Sequence, residues 1–304
     1  MHDDAMIEDH DRGLQHDLGV MASRLMQRRR VLGLLATGGA AAMVTACGGA
    51  SDSSGTSTTS TSTSTGTTTG TTTGTTTGTG TTSGSCLADP TETNGPYPAD
   101  GTNSVNGTIS NILTASGIVR SDIRSSFGTS TTTAAGVPLT LTITLVNTNS
   151  SCAVLAAYAI YIWHCTEGGS YSLYSSGIQN ENYLRGVQVT DANGQVTFTT
   201  IFPGCYSGRY PHIHFEVFPS LATATSQNNA SLTSQFAMPR DIASTVYTGS
   251  SGYSASVSNL AQVTTSSDGV FGDNTSAQIT AMTPTMAGSV ANGFTGTVTV
   301  GLPV

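Results

Sequence analysis

The chain has 304 residues, with 18 Asp and Glu against 10 Lys and Arg and a formal net charge of −8. None of its basic residues is a lysine, and beyond Cys47 five arginines stand among twelve acidic side chains. So sparse a basic complement excludes a nucleic-acid partner and an electrostatic attachment to anionic lipid.

In chain order, residues 1–47 read as a leader. A polar stretch rich in Asp and His runs to Arg28-Arg29-Arg30, and the apolar run Val31 to Ala46 follows. That run is too short and too weakly apolar to span a bilayer. A basic region before a short apolar one is an export signal, and paired arginines point to the twin-arginine route. Val44-Thr45-Ala46-Cys47 resembles a bacterial lipobox, which would make Cys47 a lipid anchor and the first residue of the mature chain. Residues 48–85 are almost wholly Ser, Thr and Gly with a TTTG repeat. With so little apolar surface to bury they should form a disordered tether, spanning roughly 35 Å. The expectation is an exported protein, anchored through Cys47 and facing the periplasm or the cell exterior, with residues 86–304 as its one domain.

That domain carries Cys86, Cys152, Cys165 and Cys205. An even number in an oxidising compartment predicts two disulfides, Cys205 included, with three pairings open. No CxxC spacing occurs, which disfavours a thiolate metal site.

Helical periodicity is nearly absent, while strand patterns fall at 138–147, 154–165, 185–191, 195–202, 212–218 and 296–302. Asn193-Gly194 supplies the positive φ angles of a tight hairpin. Short strands between Gly, Ser and Asn turns predict an all-β fold, an antiparallel β-sandwich of immunoglobulin or transthyretin type. The segments 86–136 and 219–292 are read as long irregular loops that wrap it or wall its pocket.

Chemistry concentrates in residues 199–216, TTIFPGCYSGRYPHIHFE. His212 and His214 alternate on a strand, so both imidazoles leave the same face. Two co-facial nitrogens make half of a metal site, to which Tyr206 can add a phenolate oxygen. Glu216 shares that face, so an HxHxE triad is a rival set; a copper site on the histidine pair and a plain exposed polar pair are others. Upstream stand Trp163, Gly169-Ser170-Tyr171, Arg185-Gly186, Thr190-Asp191 and Asn193-Gly194. Downstream follow Thr199-Thr200-Ile201, Pro203-Gly204-Cys205-Tyr206 and Arg209-x-x-His212-x-His214.

This ordered set resembles the intradiol ring-cleavage dioxygenases, the catechol and protocatechuate family that uses non-haem ferric iron. The resemblance is close from about Ala157 to Phe218, with weaker echoes in Thr91–Tyr97 and Leu232–Gln235. It implies Tyr171, Tyr206, His212 and His214 as ligands of Fe(III), a hard cation suited to two tyrosinates and two neutral imidazoles. It further implies that Tyr206 and a metal-bound hydroxide take the two protons of a catechol-type diol. The ring then reacts with O2 to give a muconate-type diacid. Arg209 would stabilise negative charge on the substrate, Gln235 would orient that region, and Tyr97 would line the pocket mouth. The helical dimerisation region of the catechol-cleaving branch is not visible, and the short loop from Tyr206 to Arg209 should open the pocket. The chain thus looks like an exported, single-domain member. A non-catalytic sandwich lipoprotein that binds carbohydrate or a surface partner is the alternative, though it has no need of Tyr171, Tyr206, His212, His214 and Arg209 together.

Overall fold

The computed structural model describes residues 86–95, 97–105 and 107–304. The leader, Cys47 and the proposed tether lie outside the described residues. Eleven strands are named here in chain order. A hairpin, β1 (Asp100–Val105) and β2 (Thr108–Asn111), precedes two larger sheets. One sheet is built on the long β3 (Pro138–Asn147), flanked by β7 (Gln195–Ile201) and β11 (Gly293–Leu302), with β4 (Ala153–Val154) and β10 (Thr285–Ser289) at its margins. The other has the order β6 (Arg185–Val189), β5 (Ala159–Trp163), β8 (His212–Phe218), β9 (Leu232–Ala237).

Alternation explains the first sheet. Leu139, Leu141, Ile143 and Leu145 of β3 and Val196 and Phe198 of β7 point into the core. Thr140, Thr142 and Thr144 face outward, where the Thr142 hydroxyl bonds that of Thr197 at 2.9 Å. β-branched threonines suit the solvent side of a pleated strand. Across the core, Ile160 and Ile162 of β5, Ile213, Phe215 and Val217 of β8 and Phe236 of β9 complete the same cluster. The sandwich is therefore as expected, with one difference: β11 runs parallel to β3 from Phe294 to Leu302. Parallel neighbours need a long crossover, and here the return passes through three short helices, α1 (Arg240–Gly249), α2 (Ser254–Ala261) and α3 (Ser276–Ala281). These helices replace much of the irregular 219–292 segment. α1 places Ala243, Val246 and Tyr247 in the sandwich core.

The second sheet is covered on both faces, which is why all seven residues of β8 are buried. Its inner face meets the sandwich core. Its outer face carries Tyr161, Trp163, Val187 and Phe218, and residues 97–118 pack over it through Ala99, Leu113 and Ile118. That cover is tied down by Arg185. Its guanidinium donates to the carbonyls of Tyr97, Pro98 and Ser172, to the Ser172 hydroxyl and to the Tyr161 hydroxyl, all within 2.9–3.1 Å.

The cysteines require a correction. Cys86 and Cys152 form a disulfide that closes a 66-residue separation, worth about 4 kcal/mol in the chain-entropy account. Cys165 and Cys205 are free, buried thiols. Each thiol has a backbone carbonyl as partner, Gly204 for Cys165 at 3.4 Å and Arg209 for Cys205 at 3.5 Å, and burial pushes both pKa values up to about 12. They hold the turn before the histidine strand as buried donors, not as a crosslink.

Candidate metal and substrate site

The register across the second sheet lines up Arg185, Trp163, His214 and Gln235 on four neighbouring strands. His214 stacks flat on Trp163, with ring centroids 4.7 Å apart and planes 6° from parallel. On its other edge lies Gly95, whose φ of +75° and missing side chain are both needed. A Cβ there would stand 2.8 Å from His214 Cε1. His212, two residues earlier on the same face, donates Nδ1–H to the Tyr210 carbonyl at 2.5 Å, which turns a bare Nε2 outward.

Two tyrosines from separate loops meet these nitrogens. Tyr171 sits in a turn closed by its N–H to the Ser175 hydroxyl at 2.9 Å, and Tyr206 follows Gly204-Cys205. Tyr171 Oη lies 3.4 Å from His212 Nε2 and 3.3 Å from His214 Nε2. Tyr206 Oη lies 3.3 Å from His212 Nε2, and the two Nε2 atoms are 3.0 Å apart. Four donor atoms thus face one point. Tyr206 is partly exposed, whereas the other three are buried.

Burial, before the charge of any neighbour, sets the protonation of this cluster. It lifts Tyr171 well above the ordinary phenol value, with Tyr206 adding to the effect, and pushes Tyr206 up to about 12 against the opposing pull of Arg209. Burial and then Arg209 lower His212 to about 3, and burial and then His212 hold His214 well below 6.5. Without a cation the site is two neutral phenols and two neutral imidazoles. Two imidazole nitrogens 3.0 Å apart and two phenolic oxygens within 3.4 Å of them form a donor set that fits a hard trivalent cation, which would reverse the phenol preference.

Glu216 does not join them. Among the described residues no three His, Cys, Asp or Glu gather within reach of one metal ion, so the HxHxE triad is not formed. The Glu216 carboxyl is fully buried; burial, and then the charge and hydrogen bond of the Asp100 carboxyl beside it, raise its pKa well above the usual range.

Arg209 is fully buried beside the cluster. Its Nε donates to Asp268 Oδ2 at 2.9 Å and its Nη2 to Gln235 Oε1 at 2.7 Å, while Nη1 is buried with no partner. Gln235 is steadied by its own donation to the Thr93 carbonyl at 3.0 Å. The Tyr97 ring lies 5.1 Å from that of Tyr171 and 5.2 Å from that of Tyr174. Tyr174 points away, its hydroxyl bonded to Ala99 N–H and Asn103. His164, on the opposite alternation from Trp163, is buried against the Thr200 hydroxyl and the Cys165 carbonyl.

Residues 126–249 match the family model described as Dioxygenase. The fold is similar to that of an intradiol ring-cleavage dioxygenase from Tetranychus urticae. Identity is 24%, the TM-score is 0.54, and the match covers 72% of this chain and 95% of that one. A second dioxygenase crystal structure matches over the same shares at 23% identity and a TM-score of 0.54. The dioxygenase domain of a carbohydrate-binding fusion from Streptomyces sp. SirexAA-E matches at 22% identity, 72% and 99% coverage and a TM-score of 0.41. A comparison with curated proteins gave no match. Residues 126–249 thus match the Dioxygenase family model, on a fold similar to that of the intradiol ring-cleavage dioxygenases.

Of the residues the site brings together, Tyr171, Tyr206, Arg209, His212, His214 and Gln235 fall inside the matched segment, and Tyr97 lies before it. Sequence reading missed Asp268 and gave Arg185 no role. Asp268, in Ser-Ser-Asp-Gly, looks like any turn aspartate, and nothing near it in the chain signals that it meets Arg209. Arg185 stood within a matched motif, but its five hydrogen bonds depend on where residues 97–98 cross the sheet.

Proposed function

We propose that this domain is a non-haem Fe(III) dioxygenase that opens the ring of a catechol-type diol between its two hydroxylated carbons. O2 is the oxidant, and a muconate-type diacid holding both oxygen atoms is the product. The observation that carries this reading is the meeting of Tyr171 Oη, Tyr206 Oη, His212 Nε2 and His214 Nε2 beside the unpartnered Nη1 of Arg209. Ferric iron, the family's metal, would draw electron density from a bound catecholate and so open a ring carbon to O2.

The chain's own residues would divide the remaining work. Tyr171 and the two histidines, buried and fixed by Ser175, Trp163 and Tyr210, would keep the metal position rigid. Tyr206, the one member that is partly exposed, would supply the phenolate oxygen that takes one catechol proton. Arg209, aimed by Asp268 and Gln235, would offer Nη1–H to negative charge gathering on the ring in a site shielded from water. Tyr97 would bound the ring's entry. Export and lipid anchoring through Cys47 belong to the same proposal, since a tethered domain would meet soluble aromatics outside the cell.

The test is a visible spectrum of the purified chain loaded with Fe(III), before and after anaerobic addition of catechol. A broad tyrosinate-to-iron band that moves to longer wavelength supports the reading. A protein that stays colourless after iron reconstitution overturns it and leaves the binding-module alternative.

A further inference from the structure

Asp268 lies beyond the family-matched residues, in the turn after α2, and each of its carboxylate oxygens takes two donors. Oδ1 accepts the N–H groups of Val270 at 2.8 Å and Phe271 at 3.0 Å, which lock the carboxylate to its own turn. Oδ2 reaches across to Arg209 Nε at 2.9 Å and to the Tyr210 N–H at 2.6 Å. The Tyr210 carbonyl then accepts His212 Nδ1–H. One buried carboxylate therefore grips the guanidinium directly and, through a single residue, the histidine as well.

Geometry gives this grip consequences. A guanidinium is planar, so fixing Nε on Asp268 and Nη2 on Gln235 determines where Nη1 points. Fixing the Tyr210 residue determines which tautomer His212 adopts and where its bare Nε2 faces. We propose that Asp268 is a positioning residue of this site, aiming the free Nη1 of Arg209 at the substrate and the Nε2 of His212 at the metal position. The inference rests on the proposed function for what is positioned. A loop anchor with no such role would affect stability alone.

The test compares the full chain with D268N, D268E and R209K by three readouts. These are uptake of Fe(III) supplied as its citrate complex, kcat and KM for catechol, and imidazole 15N shifts of the metal-free protein. D268N is expected to lose roughly tenfold to a hundredfold in iron affinity, as lost partners of metal ligands do. It should lower kcat more than it raises KM, and His212 should lose its single Nδ1–H tautomer. R209K should lower kcat yet keep iron affinity and tautomer, because the bond from Tyr210 to Asp268 survives. Wild-type behaviour of D268N in affinity and tautomer overturns the proposal. If D268N does not fold, D268E carries the comparison: iron affinity lost in D268E but kept in R209K supports the proposal, and equal behaviour overturns it. A wild-type chain that takes up no Fe(III) refutes the proposed function instead, and the tautomer comparison still decides the role of Asp268.

Discussion

Replacing Arg209 with Met tests the buried ion pair that organises one side of the site. Both side chains are almost completely inaccessible, at 1% and 0% exposure. Burial alone would raise the Asp268 pKa, but the charge and hydrogen bond of Arg209 outweigh it and, with the Tyr210 and Phe271 N–H groups, hold it below the usual range. R209M removes that compensation and leaves a carboxylate in a dry interior. Breaking such a pair from one side costs about 3–5 kcal/mol. In a domain of this size each kcal/mol moves Tm by about 2–4 °C, so R209M should melt roughly 6–20 °C lower by calorimetry. The double variant R209M/D268N removes both charges and should recover most of the loss, with a coupling energy of at least about 2 kcal/mol. Strictly additive losses, or an R209M protein melting within about 2 °C of wild type, would refute the buried-pair reasoning.

Three further outcomes follow from the same coordinates. Y206F should retain iron through the other three donors but lack the phenolate that takes a catechol proton; stopped-flow turnover should fall roughly 10²–10⁴-fold, and an unchanged rate would assign the base elsewhere. Asp89 is buried, and burial lifts its pKa to about 7 against the opposing bond from Gly301 N–H. The native state thus keeps a proton that the unfolded chain releases near pH 4, so this group's contribution falls as pH rises from about 4 to 7. D89N, which keeps an acceptor for Gly301, should gain about 2–3 kcal/mol relative to wild type between pH 5 and pH 8 in urea titrations; parallel pH profiles would contradict this. C86S should lose about 4 kcal/mol, read as a lower urea midpoint that reducing agent lowers in wild type but not in the variant.

What the sequence determined by itself was local and periodic. The alternation in LTLTITLVN and HIHFEVF set the bounds of β3 and β8 and put His212 and His214 on one face, because a strand's side chains repeat every two residues. Residue pattern alone offered the histidine pair and Tyr206; the full donor set was what the resemblance implied, and its motifs could carry that because they lie within one stretch, 163–214. The hairpin β1–β2, strands β9 and β10 and the three helices were not legible. Their periodicity is short or weak, and their stability comes from packing on elements formed elsewhere.

Only the tertiary structure decided which residues hold the site in place. Asp268 reaches Arg209 across 59 positions and Arg185 reaches the Tyr97 carbonyl across 88. It also decided which cysteines pair, joining Cys86 to Cys152 and leaving Cys165 and Cys205 on backbone carbonyls. A hydrogen bond or a disulfide requires its atoms within a few ångströms, and no pattern along the chain records which distant segments the sandwich brings that close.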